Sequence, residues 1–457
     1  MKSLVGTIRP PTFVLVTFLA AIAVGALLLK LPFAVERGMH LGWVDALFTA
    51  TSAVCVTGLA VTDTGTTFSG FGELVILVLI QLGGLGITTM GTLFLVLLGE
   101  RLSLRSERVV EETLGRLGAS GVRGLILYAV AFTLAMELTG AALLTLRLAW
   151  RHGVEPDAAL YQGLFHSVSA YCNAGFSLYP DNLTRMRHDP FFLFVVMALI
   201  VIGGLGFLVT FNVSTIRWWE KDALRRGRLT LHSRVALAVS GFLIVLGALV
   251  ILPLEWDQQL AGLNVFDKAV NALFHSVAPR TAGFNTINLA EARSGTLFFT
   301  CFLMFVGGSP GSAAGGIKTT TFFVLVLVVR ALFTGRPQVT TQGRTLPAAV
   351  IHNAIALFFV ALAWTFLVSF LLLWTERRIE LGAQHGLLAE VLFEVLSAFG
   401  TVGLSTGITP YLSALGKLVL IGTMYVGRVG PLTLVLAMSR IEPRNVVQYP
   451  EGRISIG

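Results

Sequence analysis

Charge is what this 457-residue sequence has least of: Asp, Glu, Lys and Arg make up 13% of it, against roughly 25% in a soluble globular domain. That scarcity excludes a water-soluble enzyme or binding module, whose surface would need charge that is not there. Cysteine is nearly absent as well. Cys55, Cys172 and Cys301 are an odd set in apolar surroundings, and their spacing fits neither a disulfide framework nor a metal site. Acidic residues number 25 against 33 basic ones, a net charge of +8. Membrane topology accounts for that excess, so it implies no nucleic-acid partner. Long polar segments are missing too, which leaves no room for a soluble nucleotide-binding domain.

What fills the chain is apolar, 55% of all residues. Eight stretches, at about 12–33, 70–98, 123–148, 190–216, 234–254, 296–332, 348–375 and 412–440, reach the length needed to cross a bilayer. The first is kept as a span and not a signal peptide, because no small-residue cleavage site follows "KLPFAVERG". Of the 33 Lys and Arg residues, 19 fall on one side. These are Lys2 and Arg9, five in the loop 101–123, six in 217–234, Arg330, Arg336 and Arg344, and Arg440, Arg444 and Arg453. Positive-inside bias then puts both termini in the cytosol of a multi-pass protein of the cell inner (plasma) membrane.

Between successive pairs of spans lies a segment too short to cross. The four read "ALFTATSAVCVTGLAV", "GLFHSVSAYCNAGFSL", "ALFHSVAPRTAGFNT" and "VLFEVLSAFGTVGLST". Phe48, Phe165, Phe274 and Phe393 begin the shared pattern, and Gly58, Gly175, Gly283 and Gly403 follow 10, 10, 9 and 10 residues later. Successive glycines lie 117, 108 and 120 residues apart, so one unit of span, half-helix, loop and span occurs four times. The boundaries expected are 10–100, 120–218, 232–333 and 346–441, with a cytosolic tail at 442–457.

Non-helical backbone at membrane depth survives only where protein or a watery cavity surrounds it. Four such loops meeting on an axis would stack carbonyl rings able to replace a cation's water shell. Each half-helix would aim the negative end of its dipole at the same place, and glycine would let the carbonyl turn inward at positive φ. The expected ion-binding backbone is Val56, Thr57 and Gly58; Asn173, Ala174 and Gly175; Thr281, Ala282 and Gly283; and Thr401, Val402 and Gly403. The fold class expected is an all-α membrane protein with four pseudo-symmetric repeats around one central pore.

These loops together resemble the Trk/Ktr/HKT superfamily of potassium uptake proteins, over nearly the whole chain. Because the first repeat opens the sequence without an extra N-terminal helix pair, the resemblance leans toward KtrB-type membrane subunits. Glycine in all four loops goes, in that family, with potassium preference. The sixth stretch is over-long and interrupted by "GGSPGSAAGGIKTTT", which cannot be a lipid-facing helix. The resemblance implies that Gly307, Gly308, Ser309, Pro310, Gly311, Ser312, Ala313, Ala314, Gly315 and Gly316 form an intramembrane gate loop. It implies too that Arg428, a lone charge in the eighth stretch, sits below the filter and bonds to that loop. The other repeats carry "QLGGLGITT", "VIGGLGFLV" and "YVGRVGPLT" at the corresponding place.

The resemblance further implies a homodimer and a cytosolic ring of KtrA- or TrkA-type regulatory subunits. Any nucleotide would sit on that ring, with no organic cofactor on this chain; K+ is the transported ion. The basic loops 101–123 and 217–234 are the expected docking surfaces. His166 and His275 read as half-helix anchors rather than metal ligands, Cys55 and Cys172 as packing residues, and Lys318 as a residue of the cytosolic vestibule. Arg280 is expected to point behind the filter to a hydrogen-bond partner. The alternative class is a sodium-coupled secondary transporter, against which four parallel copies stand in place of inverted repeats. The string "GGSPG" fits a nucleophile motif at Ser309 but lacks the strand-to-helix setting.

Overall fold

The computed structural model describes residues 10–86, 119–216, 228–376 and 385–430. The first portion runs α1 (Pro10–Leu29), α2 (Trp43–Val54), α3 (Thr64–Thr67) and α4 (Gly70–Leu85). The second has α5 (Ala119–His152), α6 (Pro156–Tyr171), α7 (Pro190–Leu205) and α8 (Phe207–Ser214). The third has α9 (Leu231–Glu255), α10 (Val265–Val277), α11 (Ser294–Phe305) and α12 (Thr319–Phe333). A small antiparallel hairpin, β1 (Thr340–Thr341) with β2 (Arg344–Thr345), leads to α13 (Ala348–Thr375), α14 (Leu387–Gly400) and α15 (Ala414–Val429).

The long helices are apolar on every side, as suits a helix between protein and lipid. Thus α9 buries Val239, Leu243 and Ile251 and turns Phe242, Val245 and Leu249 outward. The short helices α2, α6, α10 and α14 behave differently: α2, α10 and α14 bury most of their residues and α6 half, concentrated toward its C-terminal end. Each has an acid in its first turn, Asp45, Asp157, Asp267 or Glu390, where the helix dipole favours negative charge. Asn264 caps α10 by accepting from the Asp267 amide at 2.8 Å. Phe48, Phe165, Phe274 and Phe393 are fully buried, so each repeat motif begins on a packing anchor.

Each short helix packs on the long helix before it: α2 on α1, α6 on α5, α10 on α9 and α14 on α13. Contacts between the portions run α4 to α6, α7 to α10, α11 to α14 and α15 to α2, which closes the chain on itself.

Among the described residues, three helices are by themselves long and apolar enough to cross a membrane: Leu127–His152, Leu231–Glu255 and Ala348–Thr375. The fourth expected stretch departs from a simple crossing. It is bent by 97° between α7 and α8, at Gly206, which has φ +79° and sits against the backbone of Gly311 and Ser312. The glycine-rich loop therefore occupies the space a straight helix would need. The sixth stretch is broken into α11 and α12, as its composition requires. Parts of the second and eighth stretches, the tail 442–457, residues 101–118 and 217–227 of the basic loops, and Lys2, Arg9, Arg440, Arg444 and Arg453 lie outside the described residues.

Asp189 ties two of these helices together at the N-terminus of α7. Its carboxylate accepts from Arg147 Nε at 2.8 Å and from the Phe192 amide at 3.1 Å, and faces His152 Nε2 at 2.9 Å. Burial pushes this carboxyl up, but the bonds from Arg147, His152 and Phe192 outweigh it and hold Asp189 below the usual carboxylate range. A depressed carboxylate stabilises the fold above its unfolded pKa, and that stability is lost as pH falls through the lower folded value. Asp189→Ala is expected to cost about 1–2 kcal/mol as a lost cap. Thermal unfolding in detergent checks this: the midpoint should fall at neutral pH, and parent and variant should converge in acid.

Candidate functional site

The segments after α2, α6, α10 and α14 share an unusual backbone. Val56, Asn173, Thr281 and Thr401 have φ of +56°, +58°, +71° and +48°. Two residues later Gly58, Gly175, Gly283 and Gly403 have φ of +90°, +71°, +73° and +96°. Left-handed Val and Thr are rare, because a β-branched side chain crowds the backbone there. Buried polar anchors hold the turns in place. The amides of Thr57, Ala174 and Val402 donate to the carbonyls of Ser52, Ser169 and Ser397 at 2.7, 2.7 and 2.8 Å. Those serines act again through their hydroxyls: Ser52 and Ser397 accept from the amides of Gly58 and Gly403 at 3.0 Å, and Ser169 donates to Phe176 O at 2.7 Å.

The four glycines meet in cyclic order. A Cβ on Gly58 would strike Ala174 O and Gly175 Cα, and one on Gly175 would stand 2.7 Å from Ala282 O and 2.9 Å from Gly283 Cα. One on Gly283 would strike Val402 O and stand 3.1 Å from Gly403 Cα. One on Gly403 would strike Thr57 O and stand 3.0 Å from Gly58 Cα, completing the circuit. The circuit brings together eight of the twelve expected backbone residues, Thr57, Gly58, Ala174, Gly175, Ala282, Gly283, Val402 and Gly403, and the other four each precede one of these in the chain. The side-chain amide of Asn173 lies 3.2 Å from Thr281 Oγ1 and links the second loop to the third.

The glycine-rich segment 306–318 lies against this cluster. Its ends are zipped together: Gly307 N donates to Ile317 O at 2.9 Å, Ile317 N to Phe305 O at 3.2 Å and Thr319 N to Gly308 O at 3.1 Å. Between them Ser309 N donates to Gly204 O at 3.0 Å and Phe207 N to Gly311 O at 3.3 Å, which fastens the segment into the bend between α7 and α8. A Cβ on Gly315 would collide with Thr401 Oγ1 and Gly400 O, so the segment also abuts the fourth loop. Within it Ser312 Oγ donates to Ser309 O at 2.7 Å, and Lys318 Nζ bonds to Ala314 O.

Arg428 departs from its expected bond. Among the described residues its guanidinium bonds to Gly83 O at the end of α4, not to the glycine-rich segment. The reason is register. Aligning the glycine motifs places Arg428 where Gly84, Gly204 and Gly308 stand in the other repeats, and in the first repeat a Cβ at that position would meet Cys172 of the second. Arg280 points away from the cluster, with Nη2 on Ser240 Oγ at 2.8 Å and Nη1 on Ser240 O at 3.2 Å. His166 joins α6 to the segment beyond the second loop, with Nε2 3.0 Å from Ser177 Oγ. His275 makes only a 3.5 Å approach to Thr300 Oγ1 among the described residues. Cys55 and Cys172 are buried free thiols, and Cys172 does more than pack, its Sγ donating to Glu137 Oε1 at 3.6 Å.

The anchoring role of the serines, and the left-handed backbone of the expected residues Val56, Asn173, Thr281 and Thr401, are not evident from the sequence. Ser52, Ser169 and Ser397 were visible as a column six residues before the glycine in three of the aligned segments. Of the left-handed residues only Asn173 is a type that favours this conformation.

Lipid-facing helices around a cluster of four backbone loops define a class, a helical membrane protein that presents carbonyl oxygens in its interior. The chain belongs to the TrkH family of cation transport proteins, which matches residues 12–449. It is 39% identical over 450 residues to the Ktr system potassium uptake protein B of Bacillus subtilis, covering 98% of this chain and 97% of that one. It is 36% identical over 460 residues to the potassium/sodium uptake protein NtpJ of Enterococcus hirae, covering 98% of each. Its fold matches the crystal structure of the potassium transporter TrkH from Vibrio parahaemolyticus with a TM-score of 0.70, at 19% identity over 94% of this chain and 84% of that one. The family is one of cation transporters and not of enzymes.

Proposed function

We propose that this chain is the pore-forming subunit of a potassium uptake system, passing K+ down its electrochemical gradient through the four-loop cluster. The observation that carries the reading is the closed circuit of Gly58, Gly175, Gly283 and Gly403. In it the carbonyls of Thr57, Ala174, Ala282 and Val402 each lie against the loop glycine of the repeat before, an arrangement of oxygens suited to substitute for a hydration shell. The chain is then four repeats, 10–100, 120–218, 232–333 and 346–441, around one pore, with α2, α6, α10 and α14 as half-crossing helices whose C-terminal ends face the ion. Segment 307–316 is the gate, and Lys318 and Arg428 add positive charge beside it that repels a passing cation.

The membrane is the cell membrane, with both termini in the cytosol. Three relatives are named as parts of a Ktr system, which supports a multi-component assembly for this chain; the family resemblance extends that to a homodimer with a cytosolic nucleotide-binding ring. The test is flux of potassium, and of rubidium as its tracer, into proteoliposomes holding the chain alone, with sodium as competitor. Rubidium uptake that potassium blocks and equal sodium does not is the expected result. Uptake that requires a sodium gradient would favour a sodium-coupled transporter instead.

A further inference from the structure

The residue after each repeat phenylalanine is Thr49, His166, His275 or Glu394, and all four are buried. In two of the four repeats this residue reaches across to the residue two places past the loop glycine. His166 Nδ1 donates to Gln162 O at 2.8 Å, which leaves Nε2 to meet Ser177 Oγ at 3.0 Å. Glu394 accepts from Ser405 Oγ, from the Thr406 amide at 3.2 Å and from Thr409 Oγ1 at 2.9 Å. Ser177 and Ser405 are the same position, two residues after Gly175 and Gly403.

Repeats one and three lack this bond. Ala60 offers no side-chain partner at the matching place in the first. In the third, Asn285 Nδ2 donates instead to Ile287 O at 3.0 Å. Because the glycine contacts run in the order one, two, three, four, the second and fourth loops lie across the circuit from each other.

We propose that His166 and Glu394 are positioning residues that clamp the outer ends of two opposed loops, and so set how well the ring discriminates between potassium and sodium. A ring of carbonyls favours the larger ion only while its walls resist collapse onto the smaller one. Two rigid walls facing each other across the path are enough to fix its width. The inference rests on the pore reading given under Proposed function.

The experiment compares rubidium uptake under potassium and sodium competition for Ser405→Ala, Ser177→Ala, Glu394→Gln, Glu394→Leu, Thr49→Val and Gly58→Ser, each reconstituted as the full chain. The serine variants remove one hydroxyl apiece and leave the helices intact. Each should lower the preference for potassium over sodium by about five- to tenfold, the worth of one lost hydrogen bond to a buried partner. Glu394→Leu should lower it further and Glu394→Gln should restore part of it, a graded rescue that loss of fold would not give. Thr49→Val should leave it unchanged. Unaltered discrimination in Ser405→Ala and Ser177→Ala, while Gly58→Ser does alter it, would overturn the clamp and leave the pore reading standing. Unaltered discrimination in all of them, Gly58→Ser included, would remove the pore reading itself.

Discussion

A Gly58→Ser protein is expected to lose its preference for potassium over sodium by about tenfold or more, while a Gly70→Ser protein keeps it. The contrast is one of surroundings. Gly58 sits at φ +90°, where a Cβ would strike Ala174 O and Gly175 Cα, whereas a Cβ on Gly70 at the start of α4 meets nothing within 4 Å. Holding an L side chain in a left-handed conformation costs about 1–2 kcal/mol. The loop can relieve both strain and clash only by moving carbonyls of the ring. Since about 1.4 kcal/mol is a tenfold change in a binding ratio, a shift of that size in the relative affinity for the two ions removes most of the discrimination. Competition by potassium and by sodium against rubidium uptake checks it, and equal ratios in the two variants would count against the ring.

Deleting Ser312 to Gly315 is expected to raise potassium flux by about tenfold, which corresponds to lowering one barrier by about 1.4 kcal/mol. The deletion is structurally tolerable because the ends of the segment are already joined by Gly307 N to Ile317 O and Thr319 N to Gly308 O. It removes the Ala314 carbonyl that holds Lys318 and the Gly315 backbone that abuts Thr401. Arg428→Ala should act in the same direction through loss of its charge, as its hydrogen bond goes to Gly83 and not to the segment. Because both changes act on one barrier, the double variant should gain less than the sum of the two single gains in activation free energy. Folded variants that carry less flux than an unsaturated parent would make the segment a structural or ion-binding element and not a gate.

The four loops were legible in the sequence because their signals are local and repeated: a buried Phe, a polar half-helix, and a glycine at a near-constant distance. The break at 307–316 was legible for the same reason, since five glycines and a proline cannot make a lipid-facing helix. The bend at Gly206 was not. "VIGGLGFLV" is apolar throughout, and the turn is stabilised by Phe207 and Gly311, far apart in the chain. Positive φ at Val56, Thr281 and Thr401 was hidden likewise, because β-branched residues go there only when neighbouring loops leave no other choice. Arg428 lay between the two cases. That a charge in an apolar stretch needs a polar partner was evident, but which carbonyl it meets depends on how the fourth repeat packs against the first.

The ring itself is tested most directly by rubidium anomalous scattering from crystals of the full chain. The account predicts a peak on the axis of the circuit, coordinated by the carbonyl oxygens of Thr57, Ala174, Ala282 and Val402, that weakens when potassium is added in excess. Rubidium bound elsewhere in the membrane interior, with no peak among those four carbonyls, would contradict it.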